Sequence, residues 1–143
     1  MTEVPVGQGI LDTSTLILLG RIRDPEVLPG EPLITAVTLA ELSVGPLVTD
    51  DPTERAARQV RLQEAEGDFE PLPFDTHAAR TFGRVAASIR RSGRKVEARS
   101  YDAMIAAIAI SAGLPLYTVN PGDFEGIDDL DLRVVPHPDS PAS

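Results

Sequence analysis

Four carboxylates sit where an alternating strand–helix chain can gather reactive groups: Asp12, Glu41, Asp102 and Asp123. Asp12 ends the run Gly9-Ile10-Leu11, and Asp123 lies five residues beyond another apolar run, Leu114 to Thr118. Asp102 opens the apolar stretch Ala103 to Ile110, and Glu41 falls within Thr38 to Ser43. Each has an ordinary explanation alone. Asp12 suits a helix cap, Asp123 a Pro-Gly-Asp turn, Asp102 the positive end of a helix dipole, and Glu41 a solvated face. Asp12 and Asp102 nevertheless border apolar neighbours, and a carboxylate beside a core needs a compensating partner. No lysine or arginine lies close in sequence to Asp12, Glu41 or Asp123. A hard divalent cation, Mg²⁺ or Mn²⁺, takes oxygen ligands and would serve.

Composition narrows the chemistry further. The chain has 143 residues, 42% hydrophobic and 24% charged, and no cysteine. Thiolate zinc sites, iron–sulfur clusters and cysteine nucleophiles are therefore excluded. Two histidines, one of them His137 near the end, leave little for a catalytic triad. The longest apolar run, Ala103 to Ile110, is far below the roughly eighteen residues of a membrane span. No basic, apolar leader opens the chain, which predicts a cytoplasmic protein without contact to membranes. The net charge is −9, yet Arg80 to Arg99 holds seven bases against one acid, a local +6 that leaves −15 elsewhere. That strip reads either as a solvated helix face or as a phosphate-contacting surface beside an acidic pocket.

These groups need elements to position them. Gly9 to Asp12 reads as a strand feeding a helix from Ser14 to about Leu19, and Pro32 to Thr35 as a strand feeding a helix over Thr38 to Ser43. Asp51-Pro52-Thr53-Glu54 opens a helix that Gly67 should end. Phe69 to Pro73 suits an edge element, because its prolines disfavour a central strand. Asp75 caps a long amphipathic helix (Ala78, Phe82, Val85, Ala86, Ile89) ended by Gly93. Ser100 caps a buried helix from Tyr101 to Ala112, ended by Gly113. Leu114 to Thr118 and Leu132 to Val135 are the last strands. The alternation predicts an α/β fold, a central mainly parallel sheet with helices on both faces, over residues 9–135. Residues 1–8 and 136–143 read as flexible tails. In such sheets ligands bind beyond the carboxyl ends of the strands, where the four acids lie.

Ile10-Leu-Asp-Thr-Ser14, Thr38-Leu-Ala-Glu-Leu with Val44-Gly45, Asp102-Ala-Met-Ile-Ala-Ala107 and Thr118-Val-Asn-Pro-Gly-Asp-Phe124 occur in this order. In these stretches, and in Pro73-Phe-Asp75 opening the long helix, the sequence resembles the PIN-domain ribonucleases, specifically VapC-type toxins of bacterial toxin–antitoxin modules. The resemblance spans about residues 9 to 135. It implies a PIN-like nuclease domain whose acidic quartet is Asp12, Glu41, Asp102 and Asp123, with Ser14, Thr118 and Asn120 at supporting polar positions. It further implies Mg²⁺- or Mn²⁺-dependent hydrolysis of an RNA phosphodiester to a 5′-phosphate product. Asp12 and Asp102 would ligate the metal directly, and Glu41 and Asp123 through water or at a second ion. A cognate VapB-like antitoxin and a homodimer are implied as partners. Arg84, Arg91, Arg94, Lys95 and Arg99 are candidate RNA contacts. The segment before Asp102, Lys95-Val-Glu-Ala-Arg-Ser-Tyr101, departs from the glycine-containing stretch of many relatives, leaving open whether Glu97 or Arg99 enters the pocket.

Weaker signals point elsewhere. Asp128, Asp129 and Asp131 lack the spacing of a calcium loop, and His77 suits a helix surface. An aspartyl-nucleophile phosphatase would need an acid where Ser14 stands. A receiver domain would need a lysine after a late strand, but Lys95 is the only lysine. The alternative from another class is a non-catalytic PIN-like module that binds RNA or protein. An acidic site also suggests that a basic antitoxin side chain, such as an arginine, blocks it by pairing with the carboxylates.

Overall fold

A computed structural model describes residues 7–140. In chain order its elements are β1 (Gln8–Leu11), α1 (Thr13–Leu18), β2 (Glu31–Leu33), α2 (Ala36–Val44), α3 (Pro52–Asp68), α4 (Thr76–Arg91), α5 (Ser100–Ala112), β3 (Leu116–Thr118) and β4 (Leu132–Val134). The strands form one sheet in the order β2-β1-β3-β4. Every pairing is parallel, with Ile10 opposite Leu33 on one side and Leu116 on the other. The expected edge element is present: Leu72 bridges Thr35 in parallel, donating to the Ile34 carbonyl at 3.0 Å and accepting from Ala36 at 2.8 Å.

Strand periodicity sends neighbouring residues to opposite faces. Leu33 joins a cluster built from Ile10, Val85, Ile89, Ile105 and Leu116, under α4 and α5. Ile34 joins a smaller one with Leu42 and Ala65, under α2 and α3. Gly9 is required by a close approach: a β-carbon there would lie 2.4 Å from Tyr117 Cε1 and 2.8 Å from Pro29 Cβ.

Several boundaries differ from expectation for local reasons. β1 begins at Gln8, whose side chain donates to Glu31 at 3.1 Å, so the strand extends one residue into the expected tail. Residues 136–140 are also tied to the fold, through an Arg21–Asp139 ion pair. The remainder of both expected tails, 1–6 and 141–143, lies outside the described residues. α3 continues through Gly67 to Asp68; the glycine is exposed, and the following Phe69 packs on the Ile34 cluster. Asp51 caps this helix by accepting from Thr53 at 3.0 Å, but Glu54 pairs with Arg58 instead of closing a capping box. Ser100 is not a cap. Its hydroxyl donates back to the Val96 and Glu97 carbonyls of a 3₁₀ turn, and Arg99 occupies the cap position. Gly113 ends α5 as expected, with φ 68°.

No helix among the described residues is long and apolar enough to cross a membrane.

Candidate active site

The site is built from the ends of β1 and β3 and the starts of the helices beside them. Asp12 follows β1 and caps α1 with its side chain. Asp12 is 2% exposed, and hydrogen bonds to its carboxylate compensate that burial. Oδ1 accepts from the Thr15 amide at 3.0 Å and from the Thr15 hydroxyl. Oδ2 accepts from Ser14 Oγ at 3.0 Å and Thr118 Oγ1 at 2.8 Å. Two carboxylate oxygens offer about four lone-pair positions, so these donors saturate it. Thr15 and Thr118 are buried, whereas Ser14 is half-buried.

Thr118 and Thr15 also order the loop that leads to Asp123. The Thr118 hydroxyl accepts from the Asn120 amide at 2.9 Å, and the Thr15 hydroxyl from the Val119 amide at 3.0 Å. Asn120 contributes its backbone: its carbonyl accepts from the Asp123 amide at 3.0 Å in the Pro121–Phe124 3₁₀ turn.

Glu41 reaches the site from α2. Thr13 Oγ1 donates to its Oε1 at 2.6 Å, and Thr38 Oγ1 stands 2.8 Å from Thr13 Oγ1. A hydroxyl has one proton, so Thr38 must donate to Thr13 while Thr13 donates to Glu41. Burial raises the Glu41 carboxyl above its ordinary value; the Thr13 bond opposes this and the Asp12 charge adds to it.

Asp102, in the first turn of α5, is pushed up to about 7. Burial is the largest cause, followed by the negative charges of Asp123, Glu41 and Asp12, against which Arg99 acts. The structure thus brings the four sequence-predicted acids into one electrostatic cluster. It also supplies a cation that sequence proximity did not reveal. Arg99 Nη1 pairs with Asp123 Oδ1 at 3.2 Å, a basic partner 24 residues away in sequence. Glu97 and Arg99 both line a cavity of about 540 Å³ with Glu41 and Asp102.

The donor set suits a hard divalent cation: carboxylate oxygens, with no thiolate and with His77 exposed on α4. Among the described residues no three such side chains already form a ligand cage. Mg²⁺ is commonly held by one or two carboxylates and retained waters, so a preformed cage is not required.

The basic strip divides. Arg91 pairs with Asp128 at 2.8 Å and Arg94 with Glu125 at 2.5 Å, so both latch onto the loop after β3. Asp128 is therefore an ion-pair partner, as is Asp131, which pairs with Arg133 at 2.9 Å. Arg84 lines a small cleft with Asp128 and Asp129. Arg90, Arg91, Arg94 and Lys95 line a groove of about 1080 Å³ that shares Glu97 and Ser100 with the acidic cavity.

The PIN domain family model matches residues 10–130. The chain belongs to the PIN-domain family. This PIN domain is 42% identical over 130 residues to Ribonuclease VapC5 of Mycobacterium tuberculosis (strain ATCC 25618 / H37Rv), covering 90% of the chain and 93% of the relative. It is 33% identical over 112 residues to Ribonuclease VapC8 of the same strain, covering 76% and 96%. Among solved structures it superposes on VapBC-5 from Mycobacterium tuberculosis, a member of the VapBC family of toxin–antitoxin systems, with TM-score 0.73 and 35% identity, over 90% of this chain and 97% of that one. DNA-bound VapBC from Salmonella typhimurium gives 0.71 and 28%, over 89% and 97%.

Residues that sequence reasoning missed are the threonines. Thr13, Thr15 and Thr38 hold Glu41 and Asp12 in place. The signal for Thr13 and Thr15 is the hydroxyl run Thr13-Ser-Thr15 directly after a strand-end aspartate.

Proposed function

We propose that this PIN domain is a metal-dependent endoribonuclease, the toxin of a toxin–antitoxin pair that inhibits translation and growth until a VapB-like antitoxin neutralises it. The observation that carries the reading is the acidic cluster itself: burial, then the like charges of Asp123, Glu41 and Asp12, push the Asp102 carboxyl up to about 7, in a domain 42% identical to a ribonuclease. Such a cluster is unfavourable unless a cation or protons compensate it.

Mg²⁺ or Mn²⁺, when bound, lowers the pKa of a coordinated water and offsets charge growing on the phosphate. Asp102 and Asp12 are the proposed direct ligands. For Asp12 this requires one hydrogen-bond donor to turn away, and half-buried Ser14 is the one free to do so. Glu41 and Asp123 orient the attacking water or act through water. Thr13, Thr15 and Thr118 fix the carboxylates and so reduce the reorganisation needed at reaction. The substrate strand enters along the Arg90–Lys95 groove, where Arg94, Lys95 and neighbouring Arg84 and Arg91 meet phosphates.

The test is cleavage of total cellular RNA by purified, antitoxin-free protein, with Mg²⁺ or Mn²⁺ and with chelator. Metal-dependent fragments bearing 5′-phosphates are expected. No cleavage by folded, metal-supplied protein would favour a binding module instead.

A further inference from the structure

We propose that Arg99 is a resident cation of the active site, standing at Asp123 in place of a second divalent ion, so that the site loads one metal per chain. The proposal rests on the metal-dependent reading above and assigns a residue that reading does not need. Three observations carry it.

First, Arg99 is the one lysine or arginine among the described residues in an ion pair with any of the four acids, at 3.2 Å from Asp123. Both side chains are partly withdrawn from solvent, 28% and 44% exposed, so the pair is screened less than a surface one.

Second, the backbone beneath Arg99 is fixed. It closes the Glu97–Arg99 3₁₀ turn with its amide on the Val96 carbonyl at 2.9 Å, and Ser100 Oγ bonds the Val96 and Glu97 carbonyls from the next residue. The guanidinium is thus presented by the start of α5, the helix that carries Asp102, and lines the same cavity as Glu41 and Asp102.

Third, the charge balance favours one ion. Asp12, Glu41, Asp102 and Asp123 when ionised carry −4, and the Arg99 guanidinium brings this to −3. One divalent cation leaves −1; two would leave +1 and place a divalent charge beside the guanidinium. The bond to Asp123 is the only hydrogen bond of the Arg99 side chain among the described residues, so its other N–H donors are available to a phosphate oxygen of the substrate. Arg99 therefore acts as a positioning residue toward Asp123 and as a fixed positive charge.

The experiment is Mn²⁺ stoichiometry by calorimetry on the full, antitoxin-free chain, comparing wild type with Arg99→Gln, Arg99→Met and Arg99→Lys, each checked for folding by circular dichroism. One Mn²⁺ per wild-type chain, one in Arg99→Lys and two in whichever neutral variant folds is the expected result. Two Mn²⁺ in wild type, or one in a folded neutral variant, overturns the proposal and leaves the nuclease reading intact. A wild type that binds no Mn²⁺ removes both.

Discussion

Thr118 Oγ1, at the end of the third strand, donates to Asp12 Oδ2, just past the first, at 2.8 Å across 106 residues of sequence. Because β1 and β3 are adjacent and parallel, their ends lie side by side, and this bond locks the loop toward Asp123 to the central carboxylate. Thr118→Val keeps the shape and removes the bond. Loss of such an outer hydrogen bond typically costs about 10–100-fold in metal affinity or activity. That loss is expected for Thr118→Val. Ser14→Ala, which frees the Asp12 lone pair that half-buried Ser14 occupies, is expected to leave Mn²⁺ affinity equal or tighter. Calorimetric titration of both variants checks the contrast.

Glu41 depends on Thr13 in a different way. The Thr13 bond is what opposes the upward effect of burial on the Glu41 carboxyl. Thr13→Val is therefore expected to raise that carboxyl further and move the acid limb of the cleavage pH profile to higher pH. An unmoved acid limb in a folded variant would show that Glu41 ionisation does not limit the reaction.

Asp102 gives the metal-free protein a pH-dependent stability. Its carboxyl rises from an ordinary 3.8 to about 7, so between those values the folded state binds the proton that the unfolded state has lost. Stability contributed by that proton is present at acid pH and is lost as pH rises through about 7. Metal-free wild type should melt at a lower temperature at pH 8 than at pH 6. Asp102→Asn should lessen that difference, and saturating Mg²⁺ should raise the wild-type melting temperature more at pH 8. Thermal melts with and without chelator decide it.

The fold supplies a prediction independent of the chemistry. A β-carbon at Gly9 would meet Tyr117 and Pro29 inside van der Waals distance. Gly9→Ala should destabilise the domain by about 1–3 kcal/mol, the usual cost of overpacking. Denaturant unfolding measures this directly.

Much of this was readable in the sequence because the topology is local. Strand-to-helix transitions place Asp12, Glu41 and Asp123 near the carboxyl edge of a parallel sheet, the α4–α5 connection supplies Asp102 in the first turn of α5, and apolar periodicity locates these boundaries. What escaped depends on contacts that sequence does not bring near. Arg99 lies 24 residues from Asp123, and only the Pro121–Phe124 turn carries the acid back to it. Thr13, Thr15 and Thr38 look like ordinary first-turn or helix residues until β3 and α2 pack beside α1. Gly67 misled for another reason: on an exposed helix face its entropic cost is about 1 kcal/mol, too small to end the helix once partly buried Phe69 packs beyond it. Arg91 and Arg94 were legible as a basic strip, but the acids that pair with them come from a loop 37 and 31 residues away.

We propose the four-carboxylate cluster as the catalytic centre of a metal-dependent ribonuclease. The most direct measurement is single-turnover cleavage of total cellular RNA by antitoxin-free wild type and Asp102→Asn, at saturating Mn²⁺ and with chelator, both proteins shown to be folded. Asp102→Asn keeps the shape of the side chain and removes its charge. Mn²⁺-dependent cleavage by wild type and its loss in Asp102→Asn are expected. Cleavage that persists in the folded variant, or in chelator, would contradict it.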